Sequence, residues 1–177
     1  MNEDASLRAD CARCAGLCCV ALAFDRSALF AEDKPAGQPC RQLDTDDRCA
    51  IHAQRVQRGY AGCAAYDRLG AGQLVTQELF GGRSWRDCAD GGAAMFAAFG
   101  QARRVQEWRQ LLASAATLKL THALERRRRG LAERLRPSGG WSLSGLAQVA
   151  DGSTSADVAD FLRELRRVVA PRGLREN

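Results

Sequence analysis

The sequence predicts a mainly α protein in which a loop-rich cysteine-cluster region is followed by a helical bundle. Three observations carry this. Ala and Leu fill 51 of the 177 positions and Val and Ile only 9, which leaves too few β-branched residues for a sandwich or barrel. All eight cysteines fall at or before position 88. Past Ala93, apolar residues recur at spacings near three and four as far as Leu135, the period of an amphipathic helix.

Charge divides the chain in the same place. The formal net charge is +5, yet residues 1–90 carry 11 basic and 13 acidic side chains and residues 91–177 carry 15 and 8. In the first region Pro35, Pro39, the polar stretch Asp44-Thr45-Asp46-Asp47, Gly59 and Gly62 read as punctuation between short elements. Gly70-Ala71-Gly72 and Gly81-Gly82 read as turns, since neither leads into the Lys-Ser or Lys-Thr of a phosphate loop. A unit with so thin a core needs a metal or crosslinks to fix its loops. Residues 1–90 are therefore expected to form a metal-binding region, with residues 91–177 a helical region packing on it.

In that second region Phe96, Phe99, Val105, Trp108, Leu111, Leu112, Ala115, Leu118, Leu124, Leu131 and Leu135 predict one long helix or a helical hairpin. The register slips near Thr121-His122, and Pro137 with Gly139-Gly140 closes the segment. A last helix is expected with Thr154 or Ser155 as its cap, Val158, Phe161, Leu162, Leu165, Val168 and Val169 as its stripe, and Pro171 as its stop.

The longest apolar run, Leu17 to Phe24, has eight residues, far short of the roughly 20 that span a bilayer. Met1-Asn2-Glu3-Asp4 is acidic with no apolar stretch behind it, so no signal peptide and a cytoplasmic location are expected. In a reducing compartment, eight cysteines favour metal ligation or redox chemistry over disulfides.

The first four cysteines are spaced Cys-x2-Cys-x3-Cys-Cys. On a straight helix Cys11, Cys14 and Cys18 would share one face, but Cys11 and Cys18 would lie about 10.5 Å apart along the axis. Thiolates on one zinc sit about 2.3 Å from the metal. Either the chain turns at Gly16, or the thiolates grip a polynuclear cluster, or two ions are bound. With Cys40, Cys49, His52 and Cys63 downstream, the candidate ligands are Cys11, Cys14, Cys18, Cys19, Cys40, Cys49, His52 and Cys63. Eight soft donors suffice for two four-coordinate zinc ions or one cubane iron–sulfur cluster, and thiolates alone do not choose between these metals. His52 either ligates or supports a ligand by a hydrogen bond. Cys88, isolated between Asp87 and Ala89, reads as a small buried hydrophobe.

These residues resemble a known family. Cys11-Ala-Arg-Cys14-Ala-Gly-Leu-Cys18-Cys19, then Cys40-Arg-Gln-Leu43, Arg48-Cys49-Ala-Ile51-His52 and Gly62-Cys63 are similar to the YkgJ family of cysteine-cluster proteins, which is described as zinc- or iron-chelating. The version preceding pentapeptide repeats in actinobacterial proteins is the most similar, through Asp33-Lys34-Pro35-Ala36-Gly37, Gly70-Ala71-Gly72-Gln73, Phe80-Gly81-Gly82-Arg83 and Met95-Phe96-Ala97. The resemblance covers roughly the first 118 residues and implies metal chelation, with no general reaction attached. Where such sequences commonly read Tyr-Asp-Cys, this chain has Tyr66-Asp67-Arg68, and no pentapeptide repeat follows.

Other chemistry is weakly supplied. Arg126 to Arg129 form a basic run, but aromatic residues are sparse around it, so nucleic acid is not the expected partner; a solvated helix face or an acidic protein partner is. The only histidines are His52 and His122, too few for a hydrolase argument. Asp44, Asp46 and Asp47 lack the glycine and terminal glutamate of a calcium hand. The sequence thus favours a non-enzymatic metalloprotein holding zinc or an iron–sulfur cluster as a structural or interaction module. The alternative is an iron–sulfur or thiol-dependent redox enzyme or sensor, with Cys19 or Cys88 as its spare thiol.

Overall fold

A computed structural model describes residues 5–169, apart from the side chain of Val169. The chain is mainly α. Short helices α1 (Leu17–Ala21), α2 (Ala61–Ala65) and α3 (Ala71–Gln73), the last running into a π-helix at Leu74–Leu79, precede the long helices. These are α4 (Ala93–Ala115), α5 (His122–Arg134), α6 (Leu143–Asp151) and α7 (Ser153–Val169). Among the described residues there is no strand, only isolated bridges pairing Phe24 with Lys34, Ser27 with Phe30 and Leu43 with Cys49. No described helix is long and apolar enough to cross a membrane.

Helix α4 is the axis of the main core. Met95, Ala98, Phe99, Ala102, Val105, Leu112 and Ala115 bury one stripe at spacings of three, four and seven, and the other helices cover it. Leu124, Leu131 and Leu135 come from α5 and its end, Leu146 and Ala150 from α6, Val158 and Phe161 from α7. From the cysteine-rich side, Ala15, Leu17, Ala71, Val75 and Phe80 join the same core. A smaller cluster of Cys40, Ile51 and Tyr60, flanked by Cys19, Phe24, Phe30, Cys49 and Cys63, lies apart from it.

The helical hairpin breaks where the register slips: α4 ends at Ala115 and Thr121 caps α5, its hydroxyl accepting from the Leu124 N–H at 3.3 Å. Leu111, on the outer side of α4, and Leu118, in the turn after it, face solvent rather than the core. Three expectations are corrected. Helix α6 was not anticipated; Ser142 caps it, accepting from Gly145 N–H at 3.0 Å, but nine residues display too few turns to reveal a period. Helix α7 begins at Ser153, so Thr154 and Ser155 lie inside it. Thr154 is buried, and its hydroxyl accepts from Arg134 Nη2 at 2.7 Å. On its stripe Val158 and Phe161 are buried, Leu162 and Leu165 half-buried and Val168 exposed. The Val169 side chain and Pro171 lie outside the described residues, as do Met1 to Asp4.

The third correction matters most for the site. Gly70-Ala71-Gly72 opens a helix rather than forming a turn. Gly70 takes φ 75°, and a Cβ there would stand 2.1 Å from the Ser6 carbonyl oxygen, so only glycine lets the N-terminal segment lie this close.

Candidate metal centre

Five separate stretches of chain bring the predicted ligands together. The first carries Cys11 and Cys14 around a 3-10 turn at Cys11–Arg13, which Asp10 caps by accepting from Ala12 N–H at 3.0 Å. Its backbone is gripped by the end of α3 and one face of the π-helix. Gln73 Nε2 donates to Arg8 O at 2.7 Å while its Oε1 accepts from Asp10 N–H at 2.8 Å. Gln77 Nε2 donates to Arg13 O at 2.9 Å, and the buried Thr76 hydroxyl accepts from Ala15 N–H at 3.0 Å. Gly72 completes the seat, since a Cβ there would come within 2.5 Å of Cys14 Sγ. Further back, Gln106 Nε2 donates to Ser6 O at 3.1 Å and Arg109 Nη2 donates to the Ser6 hydroxyl at 2.8 Å, which ties the start of the arm to α4.

At Gly16 the chain turns, as one of the sequence alternatives required: φ is 63°, and a Cβ would meet Leu43 Cδ1 at 2.7 Å. Helix α1 follows and carries the second pair, with Cys18 and Cys19 Sγ atoms 3.9 Å apart. Leu17 and Val20 bury the opposite face. Cys40 is held against this helix by its N–H, which donates to Cys19 O at 2.9 Å. The loop bearing Cys49 and His52 closes with His52 N–H donating to Cys49 O at 3.0 Å, and α2 presents Cys63. All eight predicted ligands, Cys11, Cys14, Cys18, Cys19, Cys40, Cys49, His52 and Cys63, line one cavity of about 640 Å³. His52 lies at its exposed edge. Cys88 does not line it; half-buried against the main core, its thiol donates to Ser84 O at 3.6 Å.

Electrostatics single out Cys18. The hydrogen bond with the Cys19 thiol outweighs burial and, helped by Arg68, lowers Cys18 below the ordinary thiol range. Cys19 is pushed up by holding that proton, by burial, and by the charges of Cys18, Cys49 and Cys40. Burial and neighbouring thiolates raise Cys14 and Cys63 to about 11, and burial raises Cys40. Two cations serve this group. Arg68 Nε donates to Cys18 Sγ at 3.3 Å. Buried Lys34 anchors its ammonium on the carbonyls of Val20, Pro35 and Gln38 at 2.9–3.1 Å; burial lowers its pKa while the charges of Cys40 and Cys19 oppose that.

All eight cysteines are free thiols. Among the described residues no three histidine, cysteine or acidic side chains are gathered tightly enough to hold one metal ion. The donors surround a shared space without forming a finished tetrahedron. Soft sulfur and imidazole donors suit thiophilic metals. Sequence reading overlooked Arg55, Arg68, Lys34 and the π-helix side chains. Only Arg68 left a trace, as the residue standing where the resembled sequences commonly carry cysteine.

No protein-family model matches this chain, and no solved structure matches it. Over 119 residues, 67% of its length, it is 40% identical to the Bacillus subtilis (strain 168) protein YybG, which is uncharacterized. The match covers 43% of YybG, so the chain spans less than half the length of that relative.

Proposed function

We propose that the chain is a thiolate metalloprotein whose centre is built by Cys11, Cys14, Cys18, Cys19, Cys40, Cys49, His52 and Cys63. It takes zinc or an iron–sulfur cluster and acts as a structural or interaction module in a reducing compartment, the cytoplasm. The observation that carries this reading is the convergence of eight soft donors, from five stretches of chain, on one cavity. Donors on a single tetrahedral zinc sit about 2.3 Å from it. Eight donors along one cavity exceed what one four-coordinate ion takes, which favours two ions or a polynuclear cluster. The resemblance to YkgJ-type sequences points the same way, and the basic face of the helical half is the proposed docking surface for an acidic protein.

The test is metal analysis of anaerobically purified protein and its variants. Cys14→Ser and Cys18→Ser are expected to lose most of the metal, and Cys88→Ser to keep the wild-type stoichiometry. Equal losses from all three would make Cys88 a ligand and break the assignment; a metal-free wild type would end it. Colour separates the candidates, since an iron–sulfur protein is brown and a zinc protein colourless.

A second reading, a redox enzyme or sensor, is favoured by one feature: the Cys18–Cys19 pair, with one thiol lowered and the other raised, faces an open cavity. Reversible bleaching of a brown protein by oxidant would promote it.

A further inference from the structure

Arg55 and Arg68 stand side by side on the cavity wall. Arg55 Nη1 and Arg68 Nη2 donate to the same acceptor, the Cys63 carbonyl oxygen, at 3.2 and 2.9 Å. Arg55 Nε also donates to His52 O at 2.8 Å, and Arg68 Nε to Cys18 Sγ at 3.3 Å. Among the described residues neither guanidinium pairs with a carboxylate, whereas Arg86, Arg104, Arg127, Arg128 and Arg134 each hold one. Each guanidinium has five N–H groups, so several remain for an anion, and Arg55 meets no thiol.

The space beside them is large. Even an eight-atom cubane, at a water-like share of about 30 Å³ per atom, fills less than half of the cavity's roughly 640 Å³. That volume falls within the roughly 300–1,000 Å³ of small-molecule sites. Part of the lining is apolar: Phe24 and Phe30 stack with centroids 4.5 Å apart, and Leu22 and the exposed Leu29 join them.

We propose that this cavity binds a small organic carboxylate with an aromatic or alkyl body, the carboxylate received by Arg55 and Arg68 and the body by Phe24, Phe30 and Leu29. The planar guanidinium fork matches a carboxylate in geometry as well as charge. This inference goes beyond the metal reading and does not require a particular metal.

The experiment is calorimetric titration of the anaerobically purified protein with phenylacetate, its neutral amide phenylacetamide, and inorganic phosphate, with metal content measured on the same samples. Phenylacetate is expected to saturate one site per chain, and phenylacetamide to bind roughly tenfold more weakly. Arg55→Gln should weaken phenylacetate by about that factor while Arg55→Lys retains part of it. Leu29→Asp, at an exposed position, should repel the acid without touching either arginine, and decides the matter if Arg55→Gln fails to fold. Absence of saturation, equal binding of acid and amide, or indifference to both Arg55→Gln and Leu29→Asp would overturn the proposal. Tighter binding of phosphate would overturn its carboxylate assignment. A metal-free sample that still binds phenylacetate selectively would defeat the metal reading and leave this one standing.

Discussion

Cys18 and Cys19 are adjacent in sequence, yet their thiols are driven in opposite directions. The hydrogen bond between them and the positive charge of Arg68 lower Cys18; Cys14, buried beside other thiolates, is raised to about 11. The thiolate is the nucleophile, so the thiol whose pKa is lowered reacts at the lower pH. In metal-free protein, iodoacetamide is expected to alkylate Cys18 before Cys14, at a pH below that at which an ordinary thiol ionises. Peptide mass spectrometry over a pH series reads this directly, and earlier labelling of Cys14 would contradict it. The ligand candidates were legible from residue type and spacing alone. Arg55 and Lys34 were not, because an arginine or lysine in a loop carries no local mark of the carbonyls it meets in the fold.

Helix elements were legible in proportion to their length. The long α4 and α5 announce themselves through repeated apolar spacing, and even their break at Thr121 was visible. The segment 70–79 was hidden, because a π-helix places successive turns at a spacing that neither the strand nor the α-helix period matches. Its polar side chains Gln73, Thr76 and Gln77 look like loop residues until their partners, more than sixty positions away, are known. Thr76 is the most consequential of the three, being buried and the acceptor for Ala15 N–H. Thr76→Val would leave that donor unsatisfied at a cost of about 1–3 kcal/mol, readable by urea denaturation, with metal retention falling because the Cys11–Cys14 arm loosens. Thr76→Ser keeps the acceptor and should stay close to wild type; equal damage from both substitutions would show that the hydroxyl is not the anchor.

At the scale of the whole molecule, the cysteine-rich and helical parts share one core, to which Ala15, Leu17, Ala71, Val75 and Phe80 contribute alongside α4 to α7. Scattered small residues of this kind show no period, so the thin core expected for residues 1–90 concealed their part in a larger one. The consequence for metal removal is selective. Chelation should release the small cluster of Cys40, Ile51 and Tyr60, with Phe24 and Phe30, and leave the main core intact. Near-ultraviolet circular dichroism from those aromatic rings is expected to fall while most of the far-ultraviolet helical signal persists. An apo protein with unchanged cooperative melting would refute this. The surface of the helical half is less bare of carboxylates than its charge implies: Arg127 meets Glu164, Arg128 and Arg129 share Glu125, and Arg134 meets Asp157.

Ser6 is bound by Gln106 and Arg109, partners about a hundred positions further along the chain. During synthesis, at about 5–20 residues per second, the first cysteine arm therefore waits on the order of ten seconds between its own emergence and that of its anchors. Over that interval the thiols of Cys11 through Cys63 exist as an open, reducing stretch of nascent chain. The order of translation thus puts closure of the cysteine arm after the ribosome has delivered α4, and leaves the thiols of the unfinished chain open to the redox state of its surroundings.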